Sequence, residues 1–293
     1  APISFSKEKL DIQVLKYFKL KSKKSVNLNP WKKITKIILQ KKKQINIAII
    51  GKYVELKDAY KSLDEALTHG GIENNVKVNL IRIDSEKLKV YEIKSKLKNI
   101  SGVLIPGGFG KRGTDGKVEA IKFARNNKIP FLGICYGMQM AIIEFARNKL
   151  NLRNATSSEF DKKGLPIIGL INEWKKDGKT IQGTDKDLGG TMRLGSYDAK
   201  LKENSMINKI YKKNLIKERH RHRYEVNIAY KEKFEKNGMI FSGLSPDGEL
   251  PEIIELRNHP WFIGVQFHPE FKSRPLAPHP LFSSFIKASK NHK

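Results

Sequence analysis

The amino-acid sequence predicts an α/β fold with three layers, a mostly parallel sheet flanked by helices. Three observations predict it. From Ile45 onward, short apolar runs stopped by glycine alternate with segments of helical periodicity, as expected of strands buried on both faces and covered by crossover helices. One run, IPFLGI (129–134), passes through Cys135-Tyr136-Gly137 straight into an apolar helix. From about residue 165 to 268 strand-like segments dominate, so the sheet is expected to gain antiparallel additions there.

Taken in order, residues 1 to 44 differ from the rest. They are rich in lysine, contain Pro2 and Pro30, and end in QKKKQ. Leu10, Val14, Leu15 and Phe18 fit one short amphipathic helix; the remainder reads as a tail or linker ahead of a domain over 45–293. INIAIIG (45–51) is an apolar run stopped by Gly51, hence a buried strand. A helix follows, with Asp58 as N-cap, Ala59, Leu63, Ala66 and Leu67 on one face, and Gly70-Gly71 as its stop. KVNLIRI (77–83) and GVLIPGG (102–108) read as strands, and KVEAIKFARNN (117–127) as a helix. After the strand ending at Ile134, residues Met138, Ala141, Ile142 and Phe145 mark the apolar face of the next helix.

Composition narrows the class. The 293 residues suffice for one large domain or two smaller ones, and 39% hydrophobic residues suit a globular core. No apolar run is long enough to cross a bilayer, and no signal peptide opens the chain. The single cysteine excludes an internal disulfide and points to a reducing, cytoplasmic setting. A chain starting at Ala1 is expected to be processed or part of something longer. The net charge of +27 invites a nucleic-acid reading. Its lysines are spread along the chain among asparagines and isoleucines, however, which describes a solvated basic surface. Neither nucleic acid nor membrane is expected as a partner, and anionic small molecules remain compatible.

Cys135 lies in Gly-Ile-Cys-Tyr-Gly between a strand and a helix, the cysteine form of the nucleophile-elbow pattern in the context that pattern requires. A sharp strand-to-helix turn exposes the thiol at a helix N-terminus, where the dipole and free N–H groups favour thiolate. Gly133 and Gly137 leave room for the turn. A cysteine nucleophile needs a base, and the base an orienting group. Of the seven histidines, His268 stands out in GVQFHPEF (264–271). A short strand delivering His268 and Glu270 two residues apart points both side chains the same way, and Pro269 stiffens the pair. PGGFG (106–110) at a strand end can turn backbone N–H groups toward a developing oxyanion. It is not a phosphate-binding Walker loop, because Arg112 occupies the Ser/Thr position. ERHRHRYEVN (218–227) has two histidines and three arginines in five positions. Alternation sends His220 and His222 to one face and Arg219, Arg221 and Arg223 to the other, which reads either as a carboxylate- or phosphate-binding face or as a basic exposed strand. No metal site is expected.

GGFG, GICYGMQ, GGTMRLG, RHRHRYEVN and FHPEF, in this order, resemble class I glutamine amidotransferases, and within them the C-terminal glutaminase domains of the CTP synthase family. The similarity runs from about Ile45 to Ile286; GKYVELKDAYKS (51–62), GGTMRLG (189–195) and ERHRHRYEVN are its most particular parts. The resemblance implies a flavodoxin-like sheet and a glutaminase in which Cys135 attacks the side-chain amide of L-glutamine, His268 shuttles protons and Glu270 orients it. It implies an oxyanion hole from the backbone around Gly108 and Tyr136. It implies glutamine binding by Gly108, the backbone of Tyr136, Gly137 and Met138, and Gln139, with Glu159 facing the ammonium and Arg223 the carboxylate. Residues 1 to 44 then resemble the end of a synthetase domain and its linker. That domain, absent from this chain, uses ATP and Mg²⁺ to aminate UTP to CTP in a homotetramer. GTP is the implied activator, with Phe109, Arg112 and the GGTMRLG loop as contributors; no cofactor is implied for this chain.

Two other readings compete. One is a different member of the family, such as the glutaminase of GMP synthases or a γ-glutamyl hydrolase, against which GGTMRLG and RHRHRYEVN argue. The other is a non-catalytic basic domain binding nucleic acid or a protein.

Overall fold

Three helices precede the sheet in the computed structural model, which describes residues 1–22, 24–40, 43–52, 56–161, 163–170, 173–176, 179–182 and 192–292. They are α1 (Pro2–Lys7), α2 (Leu10–Tyr17) and α3 (Asn29–Leu39), and none buries a residue. The single helix anticipated here corresponds to α2. The other two fall in the stretch that reads as tail or linker; Pro2 and Pro30 do not break them, because each sits in the first turn of its helix, where a missing N–H leaves no bond unmade.

The α/β alternation follows. Strand β1 (Gln44–Gly51) leads through a 3₁₀ turn at Lys57–Tyr60 to α4 (Lys61–Glu73) and β2 (Lys77–Asp84). Next come α5 (Ile93–Lys96), β3 (Gly102–Ile105), α6 (Thr114–Asn126), β4 (Phe131–Ile134) and α7 (Tyr136–Asn148). Asp58 therefore lies in the 3₁₀ turn and does not cap the helix. Gly70-Gly71 does not stop α4 either; both are buried inside it. A Cβ at Gly70 would fall 2.8 Å from the Phe282 carbonyl oxygen, and one at Gly71 2.8 Å from Val78 Cγ2. These glycines serve close packing.

The second half adds β5 (Ala155–Ser157), β6 (Leu165–Leu170), β7 (Glu173–Lys176) and β8 (Lys179–Gln182), then β9 (Arg193–Leu201), α8 (Met206–Tyr211), β10 (Leu215–His222) and β11 (Tyr224–Val226). It ends with α9 (Lys231–Lys236), β12 (Met239–Leu244), β13 (Pro251–Leu256), β14 (Phe262–Val265) and α10 (Pro280–Asn291). Nine strands form the main sheet in the order β10-β9-β12-β13-β14-β4-β3-β1-β2. From β2 to β14 the neighbours are parallel, and from β14 to β10 antiparallel. Strands β11, β6 and β5 make a separate small sheet, and β7 pairs antiparallel with β8.

Period-two alternation divides the core between the two faces. Ile45, Ile47, Ile49, Leu104, Leu132 and Ile134 face α4 and α10, while Ala48, Ile50, Val103, Ile105 and Phe131 face α6 and α7. Among the described residues, no helix is long and apolar enough to cross a membrane.

Candidate active site

The sharpest point of the backbone is Cys135, at φ 51° and ψ −103° between β4 and α7. A side chain rarely adopts this conformation unless its surroundings over-determine it, and they do. The Cys135 N–H donates to the Val265 carbonyl of β14 at 2.7 Å. A Cβ at Gly133 would meet the Gly137 carbonyl carbon at 2.8 Å, and one at Gly137 would meet the Ile105 oxygen at 2.1 Å. Only glycine lets α7 descend this close to β3 and β4.

His268 and Glu270 come from the segment after β14. The strand stops at Val265, so the pair is not carried on an extended chain as its spacing had implied. A 3₁₀ turn over Pro269–Lys272 brings Glu270 back beside the ring, and the His268 Nδ1–H donates to Glu270 Oε1 at 2.8 Å. The ring is fixed on other sides too. Its backbone N–H donates to the Arg219 carbonyl at 2.8 Å, and Phe271 stacks on it at 5.5 Å. A Cβ at Gly107 would stand 2.8 Å from His268 Cε1. Burial disfavours the charged ring, but hydrogen bonds and charge from Cys135 and Glu270 outweigh it and raise the pKa to about 10. The sulfur has further neighbours: the Gln266 side-chain amide donates to it at 3.7 Å, and the Arg221 carbonyl oxygen lies 4.0 Å away. Gln266 is fully buried, its Oε1 accepts from the Gln139 amide at 3.4 Å, and it is not among the sequence-predicted site residues. Its signal was a polar amide beside an apolar strand, two residues before the histidine.

Cys135 opens on a cavity of about 310 Å³ that Gly108, Gln139, Glu159 and Arg223 also line. Gln139 is held by the Tyr224 carbonyl, to which its amide donates at 3.0 Å. Burial raises the Glu159 pKa, against the opposing effects of the Gly110 N–H and Lys52. Arg223 has a buried Nη1 without a hydrogen-bond partner, and a buried guanidinium nitrogen left so invites an anionic ligand. Tyr136, Gly137 and Met138 do not line the cavity. Their side chains, where present, pack in the core, which leaves only their backbone to serve a ligand. As the first residue of α7, Tyr136 has an N–H with no partner in that helix.

Phe109 lines the same cavity and is 65% exposed. Arg112 lies outside it, exposed and 3.5 Å from Glu86. In GGTMRLG, residues 189–191 lie outside the described residues; Met192 lines the cavity, while Arg193 is buried. In β10 the alternation holds, with Glu218, His220 and His222 buried and Arg219 and Arg221 exposed. Arg223 departs from it, half-buried at the break before β11. Beneath that break lies a polar network that sequence patterning did not reveal. Arg193 Nη1 donates to Glu252 at 2.7 Å and to Glu225 at 3.1 Å, and His220 and His222 share a hydrogen bond of 2.9 Å. Burial, then Arg193, lowers the pKa of His220 to about 2 and of His222 to about 3, so both rings are neutral. Burial raises both carboxyl groups.

Residues 55–288 match the family model described as glutamine amidotransferase class-I. The whole chain is 88% identical to 54% of the CTP synthase of Pelagibacter ubique. Over 98% of its length it is 54% identical to the CTP synthase of Zymomonas mobilis, again covering 54% of that protein. The chain thus spans about half the length of the curated relatives it matches. Among solved structures, the glutaminase domain of Trypanosoma brucei CTPS with bound acivicin is 36% identical, with a TM-score of 0.76 over 85% of this chain and 95% of that one.

Proposed function

Because the chain belongs to the class I glutamine amidotransferase family, alongside the glutaminase domains of CTP synthases, we propose that its cavity hydrolyses the side-chain amide of L-glutamine. The observation that carries the reading is one cavity holding Cys135, next to the His268–Glu270 pair, together with Glu159 and Arg223. Glutamine brings an ammonium and a carboxylate; Glu159 complements the first and Arg223 the second. That orientation directs the side-chain amide at Cys135.

The sulfur attacks the amide carbon, and the carbonyl oxygen becomes an oxyanion received by the Gly108 and Tyr136 N–H groups. His268, held protonated by Glu270, gives its proton to the amide nitrogen, which leaves as ammonia. The remaining γ-glutamyl thioester is cleaved by a water from which His268 takes a proton, and glutamate is released with the thiol restored. Glu270 acts through His268, fixing its tautomer and stabilising its charge.

The same reading extends to the whole enzyme. Ammonia passes to a synthetase domain, in the same or a companion chain, that uses ATP and Mg²⁺ to aminate UTP to CTP in a cytoplasmic homotetramer. GTP activates the glutaminase step near Phe109 and Arg112. In this reading ATP and Mg²⁺ belong to the synthetase half. The test is ammonia release from glutamine by the full chain, with and without GTP, together with labelling of Cys135 by a glutamine-like electrophile. A folded chain that neither releases ammonia nor is labelled overturns the proposal.

A further inference from the structure

The loop after β3 carries the oxyanion donor Gly108, yet glycine-rich loops do not hold their shape unaided. Two residues on, both polar groups of Gly110 are taken. Its N–H donates to Glu159 Oε1 at 2.7 Å, and its carbonyl accepts from the Tyr136 hydroxyl at 2.6 Å. Gly110 itself has φ 73°, the left-handed conformation that lets the loop turn here. Lys52 adds a third tie, donating from Nζ to the Phe109 carbonyl. The Tyr136 ring spans the gap beneath. A Cβ at Gly108 would stand 3.7 Å from Tyr136 Cδ1, and the Lys117 ammonium lies 5.7 Å from the ring centroid on a side chain anchored to Ser85 at 2.7 Å.

We infer that Tyr136 is a positioning residue for the glutaminase reaction. Its hydroxyl on the carbonyl, opposed by the Glu159 carboxylate on the N–H, clamps Gly110 from both sides and so sets where the Gly108 N–H points. The inference rests on the glutaminase reading and adds to it a role for a side chain that faces away from the cavity. The geometry joins the two halves of the oxyanion hole through one residue: the backbone N–H of Tyr136 supplies one donor, and its hydroxyl steadies the loop supplying the other. Burial, reinforced by the charge of Glu159, raises the phenol pKa and keeps it a donor at any working pH. Glu159 serves two ends as well. The carboxylate that meets the glutamine ammonium also accepts from Gly110, so a correctly seated substrate loads the same residue that the clamp holds. A ligand lacking the α-ammonium leaves that end of the clamp unloaded.

The test is Tyr136→Phe in the full chain, which removes one oxygen and keeps the ring. Steady-state ammonia release is expected to show kcat about 10- to 100-fold lower with KM within about threefold, since a donor is misplaced while the groups holding glutamine remain. Alkylation of Cys135 by iodoacetamide passes through no oxyanion, so its rate should match wild type. That comparison separates the clamp from a general loss of structure. A kcat within about twofold of wild type overturns the inference, as does a parallel fall in alkylation rate and melting temperature. Ammonia release by wild type with an unchanged variant defeats the clamp alone. A wild-type chain releasing no ammonia defeats the glutaminase reading and the clamp with it.

Discussion

Cys135 holds a backbone conformation that costs about 1–3 kcal/mol, and the residues around it show how that cost is borne. Gly137 is the tightest of them, with 2.1 Å between its hypothetical Cβ and the Ile105 oxygen. Gly137→Ala should therefore destabilise the fold by at least about 1–3 kcal/mol, because the obstacle is backbone that cannot swing aside; chemical denaturation measures it. Cys135→Ala keeps the backbone and should abolish ammonia release while leaving the melting temperature within a few degrees of wild type. His268→Ala should lose more turnover than Glu270→Ala, because in the proposed reaction the first removes the proton carrier and the second only its support. Equal or reversed losses in a kcat series would show that the roles are misassigned. These residues were legible because their chemistry is concentrated in short motifs. Gln266 and the Tyr136 hydroxyl were not, because their partners lie 131 and 26 residues away and only folding brings them together.

Helix α4 illustrates how an element can obey local rules and be misread by them. Glycine in a helix interior is unfavourable by roughly 1 kcal/mol relative to alanine, so two in succession looked like an end. Packing against α10 overrides propensity, since Gly70 sits beneath the Phe282 carbonyl and α4 runs on to Glu73. Gly70→Ala should consequently destabilise by about 1–3 kcal/mol where propensity alone promises a gain, with urea melts giving the sign. Strands β1, β3 and β4 were readable from composition because burial on both faces demands unbroken apolar runs. The 3₁₀ turn at Pro269–Lys272 was not, because His-Pro-Glu is compatible with an extended chain and only the docking of His268 between Gly107 and Arg219 selects the turn. Helix α3 falls in the stretch that reads as tail or linker, and its proline sits where proline is tolerated.

Across the molecule, the Arg193 network ties β9, β10, β11 and β13 together beneath the cavity rim. Two buried carboxyl groups share one guanidinium there, and both hold a proton more firmly than the unfolded chain would. Unfolding of this carboxyl pair therefore releases protons once the pH exceeds the ordinary carboxylate range, so the pair's contribution to stability falls as pH rises, against the opposite contribution of His220 and His222 below the ordinary imidazole range. Between pH 5 and 9 the melting temperature should fall less, or rise more, for Glu225→Gln than for wild type. An unchanged slope would place the titration elsewhere. The parallel half of the sheet has a different significance. Cys135 follows β4 by one residue and His268 follows β14 by three, and the two strands are paired Ile134 to Val265. Cys135 and His268 are thus delivered by neighbouring strands of one ladder, with strands about 4.8 Å apart. One residue inserted into β14 would flip the faces of the strand residues beyond it and displace the segment that carries His268 by up to about 3.3 Å. Loss of β10 would disturb the couple from the other side, because the Arg219 carbonyl of that strand accepts from the His268 N–H. Tolerance to insertion in this chain should be read by strand register rather than by distance from the sulfur.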